Sequence, residues 1–268
     1  MVDPHEIFAA ARDRHSFLGG RGYPFPDVKR LKLYDLPGRN NFVLASAERD
    51  PFENRRFDID PSVSENVIVI DERSRFHGRI YIRGSHNIGI VHGAPDQSYP
   101  INIHFAADNQ LFYWGPECTS NSVTFELGYA ETSILVGEDC MFSAFIDVKT
   151  SDDHCIVDYE TGEHVNPGAT VIFEPHVWVG LYSTILKGVT IGAGSIIAAR
   201  TLVTNNVPAA TTIGGVPGKI IREKCSWVRD RYFQPEMQYR IQKMLQHYRS
   251  LNSSAKGDNR SERQIEVN

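Results

Sequence analysis

Cysteine is sparse in this chain, and no two of Cys118, Cys140, Cys155 and Cys225 stand in a CxxC pair. That usage leaves reduced thiols of a cytoplasmic protein, with core packing as the ordinary role of each. A basic excess is also missing. The formal net charge is −5, which gives a polyanion no footprint and removes nucleic acid from the expected partners. No run of about 18 apolar residues occurs, so no membrane span is expected. The opening MVDPHEIFAAARDRHSFLGG carries Asp3, Glu6, Arg12 and Arg14 among its apolar residues, which does not read as a signal peptide. The expected location is cytoplasmic, with peripheral contact at the inner face of the membrane left open.

What the chain does have is a beat of six. From Pro167 it divides into PGATVI, FEPHVW, VGLYST, ILKGVT, IGAGSI, IAARTL and VTNNVP. The first residues are Pro167, Phe173, Val179, Ile185, Ile191, Ile197 and Val203. The fifth are Val171, Val177, Ser183, Val189, Ser195, Thr201 and Val207, all small or β-branched. A helix cannot hold a period of six, and a hairpin would not repeat it so often. A parallel β-helix does: each six is a short strand plus a corner, with the first and fifth side chains pointing inward. The phase extends back through VGEDCM, FSAFID and VKTSDD and blurs before that, although NVIVID, GRIYIRGSHNIGI, INIHF and NSVTFEL read as strands of less regular coils. Residues 1–65 read as a helix and an irregular cap, 66–221 as the solenoid, 222–251 as a helical segment that Pro235 interrupts, and 252–268 as a polar, disordered tail.

The pattern resembles the hexapeptide-repeat acyltransferases, which implies a mainly β, left-handed parallel β-helix with three sixes to a triangular coil. The beat breaks at Cys155–Asn166, directly after His154, and Trp178 follows in HVWVGLYSTILKGVTIG. A histidine opening such a loop, TSDDHxIxDxxTGExxN, and a VWVG tryptophan downstream are similar to the sugar O-acetyltransferases of that superfamily that modify capsular and other surface polysaccharides, polysialic acid among them. The resemblance implies an acetyl-CoA-dependent transfer to a sugar hydroxyl through a ternary complex, without a metal. His154 would be the base.

The chemistry asks for one. A sugar hydroxyl becomes nucleophilic when a neutral imidazole takes its proton, and the oxyanion that follows needs donors placed in advance. Trp178 is the candidate here, through its indole N–H or as a wall for sugar or pantetheine. Asp152 and Asp153 are candidates to orient the imidazole, or are solvated turn residues. The resemblance places coenzyme A along Gly180, Leu181, Ala199, Thr204 and Asn205, with Lys219 and Arg222 of GGVPGKIIREK on its phosphates. Relatives often carry a basic residue at the position of Asn205. FYWGPECTSNS is either part of the acceptor site or packing.

Three other readings stand beside this one. N-acylation of an amino sugar uses the same fold. A zinc enzyme like the γ-class carbonic anhydrases would draw on His154, His164 and His176. A non-catalytic carbohydrate-binding or assembly module needs no base at all. Taking the loop to replace one corner, Cys140–Ser143 falls on one face, Ile146–Lys149 on the second and Asp152–Cys155 on the third. Val171–Glu174 then returns to the first face and Val177–Gly180 to the second, which sets His154 and Trp178 about 15 Å apart on one prism. No hydrogen bond spans that distance within one chain, and the trimer that the resemblance implies would bring the two faces together, so the expectation is a homotrimer with its sites between subunits.

Overall fold

The structure is a computed structural model that describes residues 26–94 and 99–258, together with Glu6, Phe8, Ala9 and Tyr23. Its scaffold follows from the six-residue beat. The first residues from Phe173 to Val203 and all the fifth residues from Val171 to Val207 are buried. Only Pro167, still within the loop, is exposed. Where the fifth residue is polar, its hydroxyl reaches a corner carbonyl: Ser183 Oγ donates to Ala198 O at 3.0 Å, Ser195 Oγ to Pro208 O at 2.7 Å and Thr201 Oγ1 to Ala198 O at 2.7 Å. Small inward hydroxyls thus satisfy buried backbone acceptors at the turns.

The rungs stack into three parallel sheets forming the walls of a triangular prism. One sheet has eight strands, from Lys32–Asp35 to Thr190–Ile191; a second has six, from Thr119–Ser120 to Lys219–Glu223; a third has seven, from Arg55–Ile59 to Leu202–Val203. Each full coil visits the eight-, six- and seven-stranded sheets in that order. Only the end strands run antiparallel, Lys32–Asp35 on Phe42–Ala45 and Lys219–Glu223 on Thr211–Gly214. Aromatic rings fill the axis. Trp114 packs on Phe142 at 5.4 Å between centroids, and Phe142 on Phe173 at 5.2 Å. Phe112, Tyr113 and Trp114 of the FYWGPECTSNS stretch are all buried, so they pack and do not form an acceptor surface.

Solenoid strands begin earlier than expected. Phe42–Ala45 and Arg55–Ile59 are already rungs. Rungs such as VIVI and LFYW are buried throughout because the outer side of the eight-stranded sheet is covered as well, by Phe8, Tyr23 and Val28. Strands buried on both faces lose the alternation that reveals them. The N-terminal helix expected within 1–65 falls largely outside the described residues.

The other end also differs. The expected helix over 222–251 starts only at Pro235 and runs to Asp258, so the disordered tail expected from 252 begins in helix; 259–268 lie outside the described residues. Pro235 opens the helix, where a missing N–H costs nothing. Lys219–Glu223 instead forms the antiparallel end strand. Between strand and helix, Trp227 is buried and Arg229 bridges four groups of the solenoid: Asp139 Oδ1, Thr119 Oγ1 and the carbonyls of Glu117 and Cys140.

Candidate active site

The seven-stranded rung Ile146–Lys149 ends at Thr150, whose carbonyl accepts the N–H of Ala169 at 2.9 Å. Everything between is an excursion whose two ends touch at one corner, between the seven- and eight-stranded sheets. Asp153, at φ 63°, turns the chain outward. The arm then folds back on itself: Val157 bridges His164, and Asp158 Oδ1 accepts the N–H groups of Glu160 and Thr161 at 2.9 Å each. Those two amides hold the Asp158 carboxyl below its usual range. Ile156, Val157, Tyr159 and Val165 remain exposed along the arm.

His154 stands exposed at the mouth of this arm. Its hydrogen bonds among the described residues are made by its backbone alone, N–H to Asp152 O at 2.8 Å and C=O from Asn166 Nδ2 at 2.9 Å. The imidazole itself has no hydrogen-bond partner among the described residues. Neither neighbouring carboxylate orients it. Asp152 pairs with Lys187 and accepts from Asn166 Nδ2 at 2.9 Å, and these contacts, Lys187 first, lower its pKa. Asp153 turns to Lys149 at 3.4 Å.

Because the excursion already begins after Thr150 and takes in Asp152–Cys155, the expected face assignment rotates. Asp152–Cys155 forms no rung. The third face is completed by Val171–Phe173, paired with Ile134–Val136, and Trp178–Val179 pairs with Met141–Phe142 in the six-stranded sheet. That sheet lies across the prism from the corner that carries His154, so one chain does not bring the two residues together. Trp178 tilts against Trp227 at 6.1 Å, and its Nε1 is buried without a hydrogen-bond partner. The ring, not the N–H, is what Trp178 can offer a ligand in this conformation.

The expected coenzyme A residues divide between two corners. Gly180, Leu181 and Ala199 lie where the six-stranded sheet passes to the seven-stranded one. Gly180 is needed for stacking: a Cβ there would sit 2.7 Å from Ala199 N and Ile197 O, and its own N–H is taken by Ile197 O at 2.8 Å. Leu181 and Ala199 are exposed, and their N–H groups donate to nothing among the described residues. No spacing in the chain signals the ladder beside them, Phe145 stacked on Tyr182 at 4.9 Å with the Arg200 guanidinium 4.9 Å from the Tyr182 ring centre. Lys219 and Arg222 are exposed on the end strand and form no ion pair among the described residues. Thr204 and Asn205, joined at 2.9 Å, lie on the His154 corner instead.

His164 and His176, the other two histidines of the zinc reading, do not converge with His154. His164 Nε2 bonds Asn166 Oδ1 at 2.9 Å. His176 is buried at the third corner, its Nδ1 on Asp139 Oδ2 at 2.7 Å and its Nε2 on Trp227 O at 2.9 Å. With both nitrogens engaged it has none left for a metal or a substrate proton. Among the described residues no cluster of His, Cys, Asp and Glu is set to hold a metal ion. A cavity of about 550 Å³ opens beside this corner, between Asp139, His176 and Arg229 and the helix residues Met237, Arg240 and Ile241. It lies away from the His154 loop.

Repeat, rungs and corners define a hexapeptide-repeat β-solenoid with one C-terminal helix. In structure it is similar to the polySia-specific acetyltransferase NeuO, with a TM-score of 0.63 and 23% identity over 78% of this chain and 96% of that one. In sequence it is 33% identical over 111 residues to the polysialic acid O-acetyltransferase of Escherichia coli O1:K1 / APEC, a stretch covering 41% of this chain and 36% of that protein. It is 45% identical over 53 residues to the 2,3,4,5-tetrahydropyridine-2,6-dicarboxylate N-acetyltransferase of Staphylococcus aureus (strain bovine RF122 / ET3-1), 22% of whose length is covered. No protein-family model matches the chain. No helix among the described residues is long and apolar enough to cross a membrane.

Proposed function

We propose that this chain is an acetyl-CoA-dependent O-acetyltransferase acting on a hydroxyl of a surface polysaccharide or its precursor. The observation that carries this reading is the exposed imidazole of His154, unpartnered among the described residues, at the mouth of a loop on a hexapeptide scaffold like that of an acetyltransferase. His154 takes the proton of the sugar hydroxyl as that oxygen bonds to the thioester carbonyl carbon. The carbon–sulfur bond then breaks, and coenzyme A leaves as the thiol with the proton returned to it.

The free N–H groups of Leu181 and Ala199 suit the amide-bearing arm of coenzyme A, and Lys219 and Arg222 suit its phosphates. Trp178 supplies an aromatic wall. Its position across the prism from His154, and the exposed Ile156, Val157, Tyr159 and Val165 of the loop arm, support a homotrimer in which neighbours complete each site. We place the enzyme in the cytoplasm. The S. aureus N-acetyltransferase likeness keeps transfer to a nitrogen as the second reading.

Labelled acetyl-CoA offered with a panel of glycans tests this directly. Wild type should acetylate an oxygen, mapped by NMR, and His154→Ala should lose 10²–10⁴-fold in kcat with coenzyme A binding retained. Product on nitrogen would select the second reading, and unimpaired His154→Ala would remove the base. Mixing His154→Ala with Trp178→Ala chains should restore activity if sites are shared between subunits. A site built within one chain would leave the mixture inactive.

A further inference from the structure

Resting on the reading of His154 as the base, we propose that Asn166 is the positioning residue of the reaction: its side-chain amide fixes the backbone that presents the imidazole.

Since the His154 ring has no partner of its own among the described residues, its placement is inherited from residues 152–154. These are gripped from the far end of the loop. Asn166 Nδ2 donates to His154 O at 2.9 Å and to Asp152 Oδ2 at 2.9 Å. Asn166 Oδ1 accepts the N–H of Ile156 at 2.6 Å and faces His164 Nε2 at 2.9 Å. A primary amide has two donor hydrogens and two acceptor lone pairs, and here each finds a partner. The orientation of the amide is also fixed, because the Ile156 backbone N–H can only donate and the His154 carbonyl can only accept. The carbonyl of Asn166 accepts Lys187 Nζ at 2.8 Å, and the same ammonium pairs with Asp152. Lys187 belongs to the next coil's corner, so both loop ends are seated on the rigid scaffold as well as on each other.

No other residue type meets these demands. An Asp at 166 would turn an acceptor oxygen, in place of the donor nitrogen, toward both the Asp152 carboxylate and the His154 carbonyl. A Gln would carry the amide one methylene too far. An Ala would leave residues 152–154 tied to residue 166 only through Lys187. Small displacements of a reacting group are costly in rate, so a base displaced by about 1 Å would lose on the order of 10²-fold.

The test compares Asn166→Asp, Lys187→Met and His154→Ala in the full chain, reading kcat, KM for acetyl-CoA, coenzyme A affinity by calorimetry, and Tm. Positioning predicts that Asn166→Asp lowers kcat about 10–100-fold while KM for acetyl-CoA, coenzyme A affinity and Tm stay at wild-type values. Lys187→Met should do the same more weakly. Amide exchange over 152–156 should quicken in both. A kcat within twofold of wild type for Asn166→Asp, with His154→Ala inactive, overturns the proposal and leaves the base assignment standing. A loss of kcat accompanied by weaker coenzyme A binding or a lower Tm also overturns it, since that marks a structural role. An active His154→Ala removes the base reading itself, and the proposal with it.

Discussion

The Trp227 indole lies flat on the His176 imidazole, ring centroids 4.3 Å apart and planes 7° from parallel. The contact is closed at both edges, for Trp227 Nε1 donates to His176 O at 2.8 Å while His176 Nε2 faces Trp227 O at 2.9 Å. This stack is where the segment leading to the C-terminal helix attaches to the solenoid.

Trp227→Ala should therefore release that attachment. It removes a buried aromatic and one donor, a change that costs about 3–5 kcal/mol in a core. Hydrogen exchange over the first turns of the helix should rise sharply, while protection of the rungs from Val123 to Phe173 stays put. Uniform loss of protection would mean that the helix segment and solenoid unfold as one unit.

The same attachment should be acid-sensitive. Burial works to raise the Asp139 pKa, but the hydrogen bond from His176 and the charges of His176 and Arg229 outweigh it and leave the group lowered. A carboxyl whose folded pKa is depressed contributes stability above its unfolded value, about 3.9, and loses it as pH falls through the folded value. Helix protection should be insensitive to this group from pH 5 to 7 and decline below about pH 4. Asp139→Asn should be weaker at neutral pH and lack that acid step.

Gly180 is a packing position. A methyl group there meets the Ala199 amide and the Ile197 carbonyl at 2.7 Å, both backbone atoms that cannot swing aside. Gly180→Ala should cost about 1–3 kcal/mol of stability, read from urea denaturation. Unchanged stability would show that the coils separate easily there.

Lys219→Ala and Arg222→Ala should raise KM for acetyl-CoA more than they lower kcat, because a remote phosphate is held equally in ground and transition states. Both effects should shrink with a donor lacking the 3′-phosphate. Equal losses with the two donors would show that neither side chain meets that group.

From Val171 onward the fold was legible because one number, six, decides both which side chains turn inward and where the chain bends. The buried series Val177, Ser183, Val189, Ser195 and Thr201 came directly from that period. Earlier rungs such as Val67–Ile70 and Leu111–Trp114 were harder to assign, since apolar contacts on both sides erase the alternation. His154 stood out because the beat stops there. Its surroundings did not: Asn166 and Lys187 reach it through contacts of 12 to 35 residues' separation, for which no local spacing stands as a sign. The face of Trp178 depended on whether Asp152–Cys155 formed a rung or belonged to the loop, and the Thr150–Ala169 hydrogen bond sets all four within the loop.

That hydrogen bond has a consequence for how such a scaffold changes. The sheets on either side of the excursion keep their register, Ile146–Lys149 under Thr184–Ile185 and Ser133–Val136 under Val171–Phe173. Closing a loop on fixed ends costs entropy only as the logarithm of its length, about 0.6 kcal/mol for each doubling. Insertions, deletions or wholesale exchange of residues 155–165 therefore leave the prism nearly indifferent. The loop proposed to meet the substrate is free to drift, and the part that keeps the molecule folded is not asked to follow.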